Sequence, residues 1–254
     1  MINYKQLDKQ DFHMHTCFCD GADTPENMVL SAIDKGLKRV GVCCHSITEL
    51  NAENVSLESE LKFRETMANL KEKYADKIQV FCGIEKDYYT SDSIGGFDYT
   101  IGSVHILKAN GKYYPMDWSL QHFLDCANEA FDGDYYAMAE CYYQTVAGVV
   151  EQTNPDIIGH IDLIAKFNKD NNLFDESHPR YVSAYQKAVD KLIKYNLPFE
   201  INMGAISRGY QDKPYPMPQV LEYIKQKGGK LILSSDSHSK ENVAFEYDKW
   251  RILL

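Results

Sequence analysis

The chain has 254 residues, 44% of them hydrophobic and 25% charged, a balance that excludes a disordered or fibrous chain and suits one well-packed domain. Lys and Arg total 27 against 37 Asp and Glu, so the formal charge of -10 argues against a broad attraction to nucleic acid or to an anionic membrane. An anionic small substrate stays compatible, provided local cations receive it.

No run approaches the roughly 20 apolar residues that span a bilayer, and the amino-terminal stretch MINYKQLDKQDFHMH lacks the apolar segment of a signal peptide. Both point to the cytoplasm. Seven cysteines are too many to pair evenly, and adjacent Cys43 and Cys44 sit in an apolar run, which favours reduced thiols in packing or site-lining roles. Cys17-Phe-Cys19 has no second cysteine pair to complete a structural zinc site.

In chain order, Phe12 to Thr16 reads as a short strand entering a polar loop. Thr24-Pro25-Glu26 then opens a helix, since the hydroxyl caps free amides, proline fits the first turn and the acid suits the dipole. Lys38 to Val42 begins the next strand, followed by a helix over Val55 to Tyr74 and strands at Ile78 to Gly83 and Phe97 to Ser103. Asn110-Gly111 marks a turn within an excursion, Leu107 to Trp118, placed to cover the mouth of a site.

Two helices are expected at Ser119 to Phe131 and Tyr135 to Gln152, the latter rich in tyrosines that lack the basic interleaving of a base-stacking surface. A strand at Ile157 to Ile161, a helix at Pro179 to Tyr195, a strand at Pro198 to Asn202, a helix around Val220 to Lys227 and the strand Lys230 to Ser235 complete the series. Seven strands alternating with helices and loops suit a parallel α/β barrel, although a doubly wound sheet has the same periodicities.

Residues able to bind metal recur where these strands end: His13 and His15, then His45, Glu85, His105, His160, and finally Asp236 with His238. In a β/α fold such ends converge on one mouth, so residues far apart in sequence become neighbours. His13-Met14-His15 places two imidazoles on one side of an extended segment, and Asp236-Ser237-His238 repeats the spacing with a carboxylate. Imidazole nitrogens with Asp20, Glu85 and Asp236 oxygens suit Zn, Fe or Mn better than a calcium loop or a thiolate cluster. His122 and His178 have no such placement and read as ordinary surface or packing residues.

The ordered set DFHMHT, CCH, GIE, GSVH, GHID and SSDSH, from Asp11 to His238, resembles the polymerase-and-histidinol-phosphatase (PHP) superfamily of metal-dependent enzymes. With the single-domain length and INMGAISRGY at 201–210, the chain looks most like the bacterial single-domain histidinol-phosphate phosphatases. The resemblance implies one catalytic domain over residues 1–254, folded as an irregular (β/α)7 barrel carrying three divalent metals. It implies that His13, His15, Glu85 and Asp236 surround the first ion, that Glu85 bridges to a second completed by His105 and His160, and that Asp20, His45 and His238 hold the third. Asp20 stands where the superfamily often has histidine, which leaves the metal's identity open.

The activity so implied is hydrolysis of L-histidinol phosphate by metal-activated water, a step of histidine biosynthesis, with a small phosphate monoester as the partner. Arg208, in ISRG after the sixth strand, has the donor fork to hold the phosphate. Two other readings use the same residues: a phosphoesterase or exonuclease acting on nucleotide ends, which the acidic composition disfavours, and a metal-stabilised interaction protein without catalysis. Oligomeric state, the proton donor to the leaving alcohol and the residues that recognise its amine and imidazole are not fixed by sequence.

Overall fold

The structure, a computed structural model, describes residues 6–51, 55–90 and 95–254. Its main sheet takes seven parallel strands in chain order: β1 (Gln10–Asp11), β2 (Arg39–His45), β3 (Gln79–Asp87), β4 (Tyr99–Ser103), β7 (Ile157–Ile158), β8 (Pro198–Asn202) and β9 (Lys230–Ser234). A parallel bridge between Met14 and Ser237 joins the last strand's exit to the first, so the sheet is nearly closed into a barrel. Seven neighbours in sequential order decide the choice that periodicity left open, in favour of the barrel.

The expected strand at Phe12 to Thr16 is corrected: the ladder covers Gln10–Asp11, and beyond it only Met14 is bridged. The physical reason lies in the Asp11 side chain. Its buried carboxylate accepts from the Ser235 and Ala244 backbone amides, both at 3.1 Å, and so replaces backbone pairing on the β9 side. Strand β3 runs to Asp87 rather than Gly83, placing Glu85 inside the ladder opposite His45. Strand β7 is shorter than expected, so His160 lies in the loop that follows it.

Helices α1 (Pro25–Asp34), α2 (Leu57–Lys73), α3 (Leu120–Phe131), α4 (Tyr135–Ala147), α5 (Val149–Thr153), α6 (Pro179–Leu192), α7 (Gly204–Ser207), α8 (Pro218–Gln226) and α9 (Tyr247–Trp250) complete the principal elements. Thr24 caps α1 by accepting from the Asn27 amide. The single helix expected from Tyr135 to Gln152 is instead two, α4 and α5, broken at Gly148, where an added Cβ would lie 3.0 Å from the Tyr88 ring. The α4 tyrosines are packing residues, as their sequence setting suggests: Tyr143 and Tyr181 of α6 are buried, with hydroxyls 3.0 Å apart.

One apolar cluster unites Phe12, Cys43, Tyr99, Ile101, Ile157 and Ile232 from five strands or their exits. Tyr99 lies against β2 and β3, where a Cβ at Gly41 or Gly83 would approach within 2.4 or 2.1 Å of its ring end. Its hydroxyl donates to the Phe12 carbonyl at 2.6 Å, fixing the residue immediately before His13. The Leu107 to Trp118 excursion contains an antiparallel hairpin, β5 (Ile106–Ala109) and β6 (Lys112–Pro115), turning at Asn110-Gly111 with both residues at positive φ.

Candidate metal centre

His13 and His15 point the same way from the extended segment after β1, and both are fully buried with their Nε2 atoms 3.1 Å apart. His45 closes β2 and stacks on His15 at 4.2 Å between ring centroids, while His238 lies 4.5 Å from the same ring. At the centre stands Glu85. Its carboxylate is 3.2 Å from His13 and His15, 3.1 Å from His45 and His160, and 3.3 Å from His105.

Asp236 follows β9 in the left-handed region, at φ 48°, a strained setting for a non-glycine residue that turns its carboxylate to within 3.6 Å of His13 and 3.7 Å of His15 and His238. Asp20, on the exposed rim, reaches His45 at 3.3 Å and His238 at 3.2 Å. Arg208 follows α7 and holds Asp236 at 3.1 Å, with a second terminal nitrogen 3.0 Å from His238. Gly204 makes this approach possible, since a Cβ there would lie 2.5 Å from Asp236 Oδ2 and 2.6 Å from the guanidinium.

All ten residues singled out in the sequence therefore meet at one end of the barrel. His122 and His178 stay outside, as expected: the first is exposed on α3 and the second caps α6 by accepting from the Arg180 amide. The seven cysteines are all free. Cys19 Sγ lies 3.6 Å from His15 Nδ1, and Cys43 Sγ donates to the Met14 carbonyl at 3.4 Å, so these two line and pack the site.

Electrostatics tie the groups together. Burial depresses the basicity of His13, but Glu200, Glu85 and Asp236 more than offset it and raise its pKa well above the usual imidazole value. His45 is raised in the same way, against burial and the neighbouring His15, by Asp20 and Glu85. His105 is pulled down by burial yet raised to about 10 by Glu85 and Asp87. Burial would raise Glu85 and Asp236, but the surrounding imidazoles, and for Asp236 first the Arg208 guanidinium, hold both below the carboxylate range.

The donor set fits divalent ions on an observation of the structure itself. Glu85 Oε2 is buried without a hydrogen bond that satisfies it, although three ring nitrogens crowd around it. Converging lone pairs of this kind are relieved by cations. Among the described residues four groupings have ligand atoms close enough for one ion: His15, Asp20, His45 and His238; His13, His15 and Cys43; His13, Glu85 and His160; and His45, Glu85 and His105. These keep Asp20, His45 and His238 together with His15, and join His13 to His15 only in the group with Cys43.

Sequence reading missed Glu200, Asp87 and Lys166. Glu200 lies in the middle of β8, where an acid in an apolar strand is itself the signal. Its carboxylate meets His13 Nδ1 at 2.8 and 3.0 Å. Asp87, two residues beyond Glu85 and so on the same strand face, accepts from the His105 amide at 2.7 Å. Lys166, nearly buried, donates to the Asp117 carbonyl at 2.7 Å.

A cleft of about 220 Å³ opens from the cluster, lined by Asp20, His45, Glu85 and His105 together with Asn51, Asp117 and Trp118. Burial would raise Asp117, but Lys166, His105 and Arg208 hold its carboxyl below the usual range.

Known proteins resemble this chain in sequence and in fold. A family model described as the PHP domain matches residues 11–204. The histidinol-phosphatase of Bacillus subtilis is 24% identical over 267 aligned residues, covering 95% of this chain and 98% of its own length. That of Saccharomyces cerevisiae is 23% identical over 78% of this chain and 69% of its own. A solved chain from Listeria monocytogenes superposes with a TM-score of 0.80 at 20% identity, over 95% of this chain and all of that one. The histidinol phosphate phosphatase of Lactococcus lactis, solved with zinc, L-histidinol and phosphate, superposes at 0.67 with 20% identity, over 97% of this chain and 92% of its own.

Proposed function

The chain belongs to the PHP-domain family, and from that membership we propose that it hydrolyses L-histidinol phosphate to L-histidinol and inorganic phosphate, as a step of histidine biosynthesis in the cytoplasm. The observation that carries the reading is the single carboxylate of Glu85 held among five imidazoles, with Arg208 on the rim. Three divalent ions, of Zn, Mn or Fe, are assigned to His13, His15, Asp20, His45, Glu85, His105, His160, Asp236 and His238. When bound, such ions lower the pKa of a water toward neutrality and offset the charge that builds on a phosphoryl group.

The protein's own groups do the remainder. Arg208 presents paired donors to two phosphate oxygens, and its contact with Asp236 fixes the guanidinium before substrate arrives. Asp117, pinned by Lys166, faces the cleft beside Trp118 and offers a carboxylate and an aromatic surface to the cationic amine and imidazole of the leaving alcohol. The hairpin β5–β6 carries these two residues at its exit, and we assign it as the cover of the site. Residues 1–254 act as one catalytic unit in this reading, and neither nucleic acid nor membrane is a partner. Among the described residues no helix is long and apolar enough to cross a membrane.

The deciding experiment compares phosphate release from histidinol phosphate, amino-alcohol phosphates, sugar phosphates and nucleotide ends, with metal content measured on the same preparation. A clear preference for histidinol phosphate is expected. Preference for a nucleotide end, or no turnover by a fully loaded protein, overturns it.

A further inference from the structure

We propose that Glu200 is the positioning residue for His13: it fixes the ring so that Nε2, and only Nε2, presents its lone pair to a divalent cation. The inference rests on the metal-centre part of the reading above and not on the substrate. Both carboxylate oxygens face His13 Nδ1, at 2.8 and 3.0 Å, while Glu85, Asp236 and His15 all lie around Nε2 on the opposite side of the ring. Glu200 therefore stands behind a ligand. Nδ1–H donates to the carboxylate, which selects the tautomer and makes Nε2 a stronger electron donor.

The rings of His15 and His105 are held less tightly from behind. His15 Nδ1 has Cys19 Sγ at 3.6 Å and Asp20 at 3.8 Å, and His105 Nδ1 has Asp87 at 3.5 Å. Glu200 is itself braced, because Asn202 Nδ2 donates to its Oε2 at 3.2 Å while Asn202 Oδ1 accepts from the Gly204 amide at 2.8 Å. The Gly204 carbonyl in turn accepts from Arg208 Nε at 3.1 Å. A continuous set of hydrogen bonds thus runs from the arginine on the rim, through Asn202 and Glu200, to a ring at the centre of the cluster. A buried carboxylate with no task beyond stability is poorly rewarded, since a buried ion pair rarely outperforms an apolar pair of the same shape.

The test uses the full chain with Glu200→Gln, whose amide oxygen still accepts from Nδ1 while the negative charge is gone, and Glu200→Ala, which removes both. Zinc affinity is read by competition with a chromogenic chelator, and ligand geometry by the visible absorption of the cobalt-loaded protein. Glu200→Gln is expected to weaken one site by about 10- to 100-fold without changing the number of ions bound at saturation, and to shift the cobalt bands. Glu200→Ala is expected to do more in the same direction. Zinc affinity within about twofold of the unaltered chain, with unmoved cobalt bands, in Glu200→Gln overturns the proposal whatever becomes of the alanine variant. An unaltered chain that binds zinc in this way but leaves histidinol phosphate intact removes the substrate reading and leaves the role of Glu200 standing.

Discussion

Glu85 and Arg208 sit at the two extremes of the site, one enclosed by imidazoles and one on the rim, and their replacements should separate accordingly. Glu85→Ala is expected to lose at least one bound ion and about 10³-fold or more in kcat, since it removes the oxygen donor shared by two ligand groups. Metal analysis beside single-turnover kinetics checks both halves, and full occupancy would contradict the shared-ligand assignment. Arg208→Ala is expected to keep its metals and lose about 10- to 100-fold in kcat/KM, the worth of about 1.5–3 kcal/mol for hydrogen bonds to a charged group. Lysine should recover little of this, because a point charge does not reproduce the fork. Unchanged kinetics would make Arg208 a structural partner of Asp236 alone.

Two elements place the residues that matter, and each gives a separate expectation. The hairpin β5–β6 delivers Asp117 and Trp118 to the cleft, so Asp117→Asn should raise KM for histidinol phosphate about tenfold, the worth of one charged contact, while sparing a phosphate monoester that has no cation. An equal effect on both substrates would assign Asp117 to holding Lys166 rather than to recognition. Inside the barrel, Tyr99 bridges β4 to the segment bearing His13 through its bond to the Phe12 carbonyl. Tyr99→Phe should cost about 1–3 kcal/mol in denaturant unfolding by leaving that buried carbonyl without its donor. Gly83→Ala should cost more, because the new methyl would overlap the Tyr99 ring. Stability equal to that of the unaltered chain in either variant would show that the tyrosine does not brace this segment.

Across the whole molecule, metal decides the sign of the pH dependence. Despite burial, His13, His45 and His105 have folded pKa values above the ordinary 6.5, so in the stripped chain their stabilisation is full below about pH 6.5 and is lost as pH rises through the folded values, about 10 for His105. Glu85 and Asp236 are held below their ordinary 4.5 and 3.8, so their contribution is present above those values and lost in acid. The stripped protein should therefore be less stable at about pH 8.5 than at about pH 6, whereas metal binding requires deprotonated ligands and should strengthen over the same interval. Urea unfolding with and without chelator at the two pH values checks this, and parallel trends would sink it. The alternation of seven strands with helices and the histidines and acids that gather at the strand ends are legible along the chain, because strand periodicity and the donor chemistry of imidazole and carboxylate are written locally. The excursion after His105 is legible too, through Asn110-Gly111. Folding in three dimensions settles the rest: that the sheet closes, that the Asp11 side chain accepts from the Ser235 and Ala244 amides beside His13, and that the helix expected over Tyr135 to Gln152 divides at Gly148, against Tyr88. It alone placed Glu200 behind His13 and Lys166 against Asp117, since an interior acid or a buried lysine takes its meaning from the partner it meets, and those partners lie far away along the chain.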